Sequence, residues 1–282
     1  MKKHINWLNS YWHQIERNIG LISKEEQEKL RKSKIAVLGL GGLGGSVAEQ
    51  LIRSGCEKLV ICDNDTFENS NLNRQLCSLN DLGKYKIDVI EKMLKGINPN
   101  IILQTFYEID EFNISKIIQE TKVVALTLDD PLISVLIARE CQKQEVPMVE
   151  SWGIPYIFAW WFTSNSIDYE TCYNLNSHKL SISDLKNSKL NEFNQTFKRE
   201  TLSKLLEFPN IKETYNREPG ILEALLEQNH PFISLSPIIR LNASYLTFEI
   251  IYSGILEIKE KILAPKILGY DYLRMKSIEF NI

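Results

Sequence analysis

The chain is poor in cysteine and has no paired cysteine motif. Its 282 residues include five cysteines, an odd number, scattered along the sequence and never spaced as Cys-x-x-Cys. A disulfide framework needs paired cysteines, and a structural zinc site needs several thiolate or imidazole ligands. We therefore expect neither a disulfide scaffold nor structural zinc.

Long apolar runs are also missing. Residues 1–11 mix charged and aromatic side chains, so they lack the apolar core of a secretory signal. The most apolar stretch, residues 237–256, is interrupted by Arg240, Asn242 and Glu249. A membrane-spanning helix needs about 18 uninterrupted apolar residues. These features predict a protein of the reducing cytoplasm with no membrane partner.

The chain has no excess of charge of one sign. It contains 33 basic and 36 acidic residues, for a formal net charge of -3. No overall basic field would attract nucleic acid, so a nucleic-acid partner is not expected. Hydrophobic residues make up 44% and charged residues 24%, as in ordinary globular proteins with a sizeable core.

Apolar strands alternate with amphipathic helices in the first half of the chain. A charged helix over residues 25–31, with Ser23 as N-cap and Glu26 completing a capping box, precedes a strand at 35–38. Further strands are predicted at 59–62, 101–106, 123–128 and 147–150, and helices at 84–94, 114–120 and 132–144. This alternation predicts an α/β fold with a doubly wound, mainly parallel, Rossmann-like sheet. Ligands of such sheets bind at the carboxyl ends of the strands.

The alternation ends near Trp152. Residues 156–163 are aromatic and strand-like, and residues 164–230 are polar, with short helices expected only near 202–206 and 221–226. We expect an irregular crossover that contacts substrate; a partly ordered insertion fits the composition equally well.

A buried helix is predicted at 237–256, and two strands separated around Gly269 at 258–282. We expect a single domain over residues 1–282 with four parts. These are a helical leader (1–33), a nucleotide-binding core (34–150), a crossover or substrate region (151–235) and a C-terminal helix with strands (236–282).

The segment 34–75 is the most informative part of the sequence. Its first strand enters a turn that contains five glycines: Gly39, Gly41, Gly42, Gly44 and Gly45. A helix follows, and the backbone N–H groups of such a turn and helix N-terminus bind phosphate. All but Gly45 are candidate nucleotide-binding residues. Gly41 and Gly42 would let the backbone approach the phosphates, while Gly44 and Gly45 would allow the helix to pack closely on the strand.

Polar residues follow the second strand. Asp63 ends that strand, where a carboxylate can accept both ribose hydroxyls, and Asp65 is expected to organise the loop beside the nucleotide. The loop then continues with four further candidates: Asn71, Asn73, Arg74 and Gln75. These residue types suit the binding of ATP and the neutralisation of a transferring phosphate. Nicotinamide enzymes do not usually carry them at this point.

These residues resemble those of the ThiF/MoeB/HesA superfamily, the adenylating enzymes related to the ubiquitin-activating enzyme. The likeness covers most of the chain and rests on the glycine turn, the Asn-Leu-Asn-Arg-Gln block at 71–75 and the Gly-Lys-Tyr-Lys sequence at 83–86. The resemblance implies that Arg74 and Gln75 reach the ATP phosphates. It also implies that the two asparagines shape the pocket and that Lys86 contacts phosphate.

The resemblance also implies a Mg²⁺ ligand. Counting back from Val146, Asp129 falls at the family's metal position, and Mg²⁺ prefers such oxygen ligands. The family pattern has a further Asp three residues before this position and an Asn after it, where this chain has Leu126 and Asp130. Asp130 would either share the metal or cap the next helix.

In dimeric relatives an arginine enters the active site of the partner subunit, so the resemblance implies a homodimer. The usual Arg-Gln-Ile motif is absent, and Arg17, in Arg-Asn-Ile-Gly, is the candidate. The alternative is an ordinary surface arginine. Zinc-binding relatives carry Cys-x-x-Cys near Cys172, which here stands alone. Cys172 is therefore either a thioester or persulfide carrier or a plain buried thiol.

The implied activity is adenylation of a carboxyl group on a peptide or a small ubiquitin-like carrier protein. The missing Cys-x-x-Cys pairs favour a peptide-modifying enzyme. Two enzyme alternatives remain: the tRNA-modifying dehydratase branch, which acts on threonylcarbamoyladenosine, and an NAD-dependent oxidoreductase, whose fingerprint the glycines and Asp63 also fit. A third alternative is a catalytically silent scaffold. The presence of Arg74, Lys86 and Asp129 argues against it.

Overall fold

The computed structural model describes residues 5, 7–188, 190–227 and 229–282. Part of the predicted leader and two positions of the predicted crossover lie outside these residues. The leader forms α1 (Asn9–Ile15) and α2 (Lys24–Lys32). The Ser23 Oγ accepts from the Glu26 N–H, and the Glu26 carboxylate accepts from the Ser23 N–H. The predicted capping box is confirmed.

The nine strands formed by the described residues belong to two sheets. In chain order they are β1 (Lys34–Leu38), β2 (Lys58–Cys62), β3 (Ile102–Phe106), β4 (Val123–Leu126), β5 (Met148–Glu150), β6 (Tyr156–Ile157), β7 (Trp160–Phe162), β8 (Lys266–Asp271) and β9 (Lys276–Asn281). The central sheet has the order β3-β2-β1-β4-β5-β7, and only β7 runs antiparallel to its neighbour. The α/β class and the mainly parallel sheet are confirmed.

Helices cover both faces of the central sheet. Those that follow its strands are α3 (Gly42–Arg53), α4 (Lys86–Ile97), α5 (Ile114–Ile118) and α6 (Pro131–Lys143). Strand β1 shows how the faces divide: Ile35 and Val37 join the core that includes α3 and α4, whereas Ala36 and Leu38 join the core that includes α5 and α6. This alternation is the period of two expected of a strand buried on both faces.

The crossover region is more helical than predicted. The helices expected near 202–206 and at 221–226 are present, but the expectation that the rest is irregular is wrong. It contains α7 (Tyr169–Cys172), α8 (Ile182–Ser188), α9 (Leu190–Glu207), α10 (Ile211–Tyr215) and α11 (Ile221–Leu226). The 18-residue α9 buries Phe193, Leu202 and Leu205 in the α5–α6 core. Its apolar residues are few and their helical spacing breaks between 197 and 202, so the sequence pattern showed only the last part of this helix.

The aromatic segment at 156–163 is two strands rather than one. β6 pairs with β8 in a three-stranded antiparallel sheet, while β7 extends the central sheet. The prediction that the last two strands separate around Gly269 is wrong. Gly269 lies inside β8, and residues 272–275 separate β8 from β9. A Cβ on Gly269 would lie 1.8 Å from the Ile157 carbonyl oxygen, so glycine here permits close approach of β6.

The late buried helix is present as α12 (Ser236–Glu249), extended by π-helical residues Ile250–Ile255. It packs against α3, and Ile239 on its first turns contacts the start of that helix. Within the described residues, no helix is both long enough and apolar enough to cross a bilayer.

Candidate nucleotide-binding site

The glycine turn lies where β1 ends, against the end of β4. Gly39 has a φ of 99°, and a Cβ there would lie 2.5 Å from the backbone nitrogen of Leu128. The Thr127 Oγ1 donates to the Leu38 and Gly39 carbonyl oxygens, at 3.0 and 2.8 Å. A Cβ on Gly44 would lie 1.8 Å from the Gly39 oxygen. Gly39 and Gly44 therefore allow strand, turn and helix to meet closely.

The next part of the turn is more open. A Cβ on Gly41 would have only the Gln75 Nε2 nearby, at 3.9 Å. On Gly42 it would meet the Ile239 side chain at 2.9 Å and the Arg74 Cγ at 3.5 Å. The turn thus leaves room above Gly41 and brings the Arg74 stem over the first residue of α3, where N–H groups without helical partners can receive an anion.

Asp63 holds the turn in place. Its Oδ2 accepts from the Leu40 N–H at 2.6 Å, and its Oδ1 accepts from the Asp65 N–H at 2.9 Å. Burial raises the pKa of Asp63, while the Leu40 N–H and the charge of Lys86 act in the opposite direction. Each carboxylate oxygen keeps a second lone pair that could accept from a ribose hydroxyl. Ribose binding by Asp63 therefore remains possible and stays a prediction.

Backbone hydrogen bonds between residues 65–67 and 84–86 bring Lys86 next to Asp63 and Asp65. The Lys86 N–H donates to the Asp65 carbonyl at 2.9 Å, and the Phe67 N–H donates to the Lys84 carbonyl at 2.9 Å. The Lys86 Nζ lies 2.7 Å from the Asp65 Oδ2, with the lysine only 6% exposed. Lys84 points elsewhere: it is exposed and pairs with Asp81 at 3.5 Å. The structure therefore separates a buried cation at the site from a solvated one two residues earlier.

The residues from 71 to 75 close the site on the side of α12. Asn71 is buried, and its Oδ1 accepts from the Glu68 N–H at 3.1 Å. The Arg74 guanidinium donates to the Asn73 Oδ1 at 2.8 Å, and the Asn73 Nδ2 donates to the Ser234 carbonyl at 3.1 Å. The buried Gln75 Oε1 has no hydrogen-bond partner among the described residues. A ligand or water is the usual partner of such an atom.

Asp129 and Asp130 follow β4 and differ in their contacts. The Asp130 Oδ1 accepts from the Ile133 N–H at 3.0 Å, so Asp130 is the N-cap of α6. Asp129 is exposed beside it. Among the described residues no cluster of three His, Cys, Asp or Glu side chains could hold a metal. Mg²⁺ commonly takes one or two protein carboxylates and completes its shell with phosphate and water, so Asp129 alone fits that ion when ATP is bound.

Arg17 is not brought to this site within one chain. It is exposed on a short 3₁₀ turn that docks on the far end of α3. There the Asn18 Nδ2 donates to the Ser54 carbonyl at 3.2 Å, and the Gln14 Nε2 donates to the Ile52 carbonyl at 2.7 Å. The 12 residues of α3 extend about 18 Å. Arg17 therefore lies at the opposite end of α3 from the glycine turn, and only the arginine of another subunit could serve this site.

Cys172 is a buried thiol, and burial raises its pKa to about 12. Since the thiolate is the nucleophile, these surroundings do not suit a thioester or persulfide carrier. We expect iodoacetamide at pH 8 to leave Cys172 unlabelled in the native protein and to label it after denaturation, as read by peptide mass spectrometry. Cys77, which is partly exposed, is the internal control. Rapid labelling of native Cys172 would restore the covalent role.

The sequence analysis did not single out Glu150 or Thr127. Glu150 is the last residue of β5, and its Oε1 accepts from the Tyr173 hydroxyl at 2.9 Å and the Trp152 Nε1 at 3.3 Å. Burial raises the pKa of Glu150 to about 7. An acid at the end of a predicted strand was the available signal, the same one that identified Asp63. Thr127 had no comparable signal, because its role depends on the neighbouring strand.

The chain is similar in sequence to several known proteins. The model of the ThiF family matches residues 15–282. A tRNA threonylcarbamoyladenosine dehydratase of Bacillus subtilis is 32% identical over 151 residues, which cover 50% of this chain and 57% of that protein. A molybdopterin-synthase adenylyltransferase of Haemophilus influenzae is 33% identical over 130 residues, covering 45% and 54%. The chain thus spans about half the length of these two curated relatives.

Solved structures share the fold over more of the chain. The crystal structure of PaaA has a TM-score of 0.67 at 20% identity and covers 100% of this chain and 86% of that one. Escherichia coli MccB with ATP has a TM-score of 0.63 at 20% identity, covering 91% and 65%. At this identity the likeness is one of fold, and it extends through the crossover helices.

Proposed function

Because the chain belongs to the ThiF family, we propose that it adenylates a carboxylate with MgATP. The observation that carries this proposal is the position of Lys86. Its buried ammonium lies 2.7 Å from Asp65, next to Asp63 and the glycine turn. A buried cation beside exposed amide groups suits a polyphosphate. A nicotinamide enzyme would need the pyrophosphate of its coenzyme there but no such cation.

The proposed reaction is a single displacement. A carboxylate oxygen of the acceptor attacks the α-phosphorus of ATP, and the bond from that phosphorus to the pyrophosphate oxygen breaks. The products are an acyl-adenylate and pyrophosphate. Lys86 and Arg74 would stabilise the charge that develops on the phosphates, and the glycine turn would orient them. Mg²⁺ bound to Asp129 would supply further positive charge near the pyrophosphate.

The acceptor we propose is a peptide, with a small ubiquitin-like carrier protein as the alternative within the same reaction. In support, the likeness to MccB and PaaA includes the crossover helices, whereas the curated dehydratase and adenylyltransferase match about half of the chain. MccB, called a microcin C7 biosynthetic enzyme, was solved in complex with N-formylated MccA. We further propose a homodimer in which Arg17 of the partner reaches this site.

A second candidate is dehydration of threonylcarbamoyladenosine in tRNA, which also begins with adenylation of a carboxylate. The 32% identity to the Bacillus subtilis dehydratase favours it. Three kinds of acceptor distinguish the candidates: a short precursor peptide, if a neighbouring gene encodes one, a small protein ending in Gly-Gly, and tRNA carrying threonylcarbamoyladenosine. The acceptor that supports AMP or pyrophosphate release identifies the substrate class. Binding of NAD in place of ATP would exclude all three.

We expect Asp129→Ala to reduce ATP–pyrophosphate exchange to about 1% or less, because an Mg²⁺ ligand stabilises charge mainly in the transition state. The melting temperature should not change, since Asp129 is exposed. Asp130→Asn is the matched control, because asparagine is also a good N-cap and should keep α6 and the exchange rate intact. Undiminished exchange in Asp129→Ala would refute the metal assignment.

A further inference from the structure

Glu150 is a partly exposed residue with a buried carboxylate oxygen, at the edge of the sheet where the site lies. It pairs with Leu126, the last residue of β4, whose chain continues to Asp129. Within the part of the chain that the structure describes, its hydrogen-bond donors are the uncharged groups of Tyr173 and Trp152, and both donate to Oε1. The Oε2 atom is buried without a partner among the described residues. Desolvation of a carboxyl group that is incompletely hydrogen-bonded is unfavourable. The free-energy cost suggests that Glu150 has a functional role.

The two donors come from different parts of the fold. Trp152 lies in the turn that follows β5, and Tyr173 lies directly after α7 in the crossover region. The Trp152 Nε1 also lies 3.1 Å from the Tyr173 hydroxyl, so the three groups form one hydrogen-bonded set. The Trp152 ring is held by four other rings, those of Phe158, Trp160, Tyr173 and Phe208. Glu150 therefore joins the turn after β5 to the crossover helices.

The same turn contacts the glycine turn through one side chain. A Cβ on Gly153 would lie 2.4 Å from the Ile239 Cδ1, and a Cβ on Gly42 would lie 2.9 Å from the Ile239 Cγ2. Ile239 is thus packed between the turn at 151–154 and the first residue of α3. The Asn242 Nδ2 donates to the Ile154 carbonyl at 2.8 Å and fixes α12 to the same turn. A change in that turn would reach the phosphate end of α3.

We propose that Glu150 is a positioning residue for ATP: its carboxylate holds the turn at 151–154 so that Ile239 supports α3 in the geometry that receives phosphate. The inference rests on the proposed function, because it assumes that ATP binds at the glycine turn. Glu150 touches neither ATP nor the acceptor and acts only through Trp152, Gly153 and Ile239.

The surroundings of Glu150 make its charge depend on pH near neutrality. Burial raises its pKa to about 7, and the two donors oppose that shift because they favour the carboxylate. The titratable groups that face it are Tyr169, Cys172 and Tyr173; burial raises the pKa of each, so they stay uncharged. Lys204 of α9 is the cation next to Cys172. Above pH 7 the carboxylate accepts both hydrogen bonds strongly, and below it the neutral acid accepts them weakly.

The test measures the Kd of MgATP by calorimetry from pH 6 to 8.5 in the wild type and in Glu150→Gln. The amide keeps an acceptor oxygen but does not titrate. At pH 8.5 we expect MgATP to bind the wild type about fivefold more tightly than Glu150→Gln, with the ratio approaching one at pH 6. Protonation of ATP itself affects both proteins equally and cancels in this ratio. Glu140→Gln, which changes a mostly buried acid of α6, is the control and should match the wild type.

Tyr173→Phe provides a second variant in case Glu150→Gln folds poorly. Losing one donor to the carboxylate should move the midpoint of the pH dependence upward by about half a unit to one unit. The indole N–H resonance of Trp152, assigned with Trp152→Phe, should titrate near pH 7 in the wild type and stay constant in Glu150→Gln.

A titrating indole with a Kd ratio that stays flat from pH 6 to 8.5 would overturn the inference, since Glu150 would then shape the turn without affecting ATP. A constant indole resonance in the wild type would overturn it as well. No MgATP binding to the wild type at any pH would overturn the proposed function, whether or not the indole titrates, and the inference with it.

Discussion

Lys86→Ala should lower ATP–pyrophosphate exchange by a factor of about 100 to 1,000, the usual cost of removing one group that stabilises transition-state charge. The loss should appear mainly in kcat, because such a charge acts more strongly on the transition state than on bound ATP. Stability should change little, since the partner left behind, Asp65, is exposed and can be hydrated.

Lys84→Ala is the matched control for this prediction. It removes the same charge two residues before Lys86, but Lys84 is exposed and pairs with Asp81. Exchange in Lys84→Ala should stay within about twofold of the wild type, in line with the small effects of surface ion pairs. Equal losses in the two variants would mean that overall charge, and not the position of Lys86, determines activity.

Gly44→Ala should destabilise the protein by about 3 kcal/mol or more, or prevent folding. Helix propensity alone predicts the opposite, a gain of about 0.5–1 kcal/mol for alanine inside a helix. The new Cβ would, however, lie 1.8 Å from the Gly39 carbonyl oxygen and 2.4 Å from the Thr127 Oγ1. Backbone must move to relieve such contacts, and overpacking of this kind costs more than propensity returns. Chemical denaturation measures the difference.

Gly96→Ala is the control, because Gly96 also lies inside a helix, α4, with no atom within 4 Å of the position its Cβ would take. It should raise stability by about 0.5–1 kcal/mol. If Gly44→Ala gained stability as Gly96→Ala is expected to, α3 would have to lie farther from β1 than the structure places it.

Much of the fold could be predicted because its signals are local. The capping box of α2 involves residues three positions apart, and the strands from β1 to β5 are short apolar runs bounded by turns. Apart from α11, the full helices of the crossover region could not be predicted in the same way. α9 buries only part of one face, and its apolar residues pack against distant parts of the chain, such as α6. Tertiary packing and not local pattern stabilises such a helix.

The site shows the same division. Its residue types and order, from the glycine turn to Lys86, were apparent from the motif at 34–86. The sequence did not show which of two neighbouring residues of the same charge lies at the site. Asp130 caps α6 while Asp129 stays free of that cap, and Lys86 is buried while Lys84 is exposed. Such differences depend on where the loop meets the next helix.

By itself the sequence determined the α/β class, the glycine turn and the polar loop after β2, because these depend on residues close together along the chain. Only the tertiary structure decided that Arg17 lies at the end of α3 opposite the glycine turn, with that helix, about 18 Å long, between them. It also decided that the Glu150 carboxylate accepts from Trp152 in the turn after β5 and from Tyr173 directly after α7, and that Ile239 contacts Gly42. Those relations join residues up to about 200 positions apart, and only packing of the whole chain brings them together.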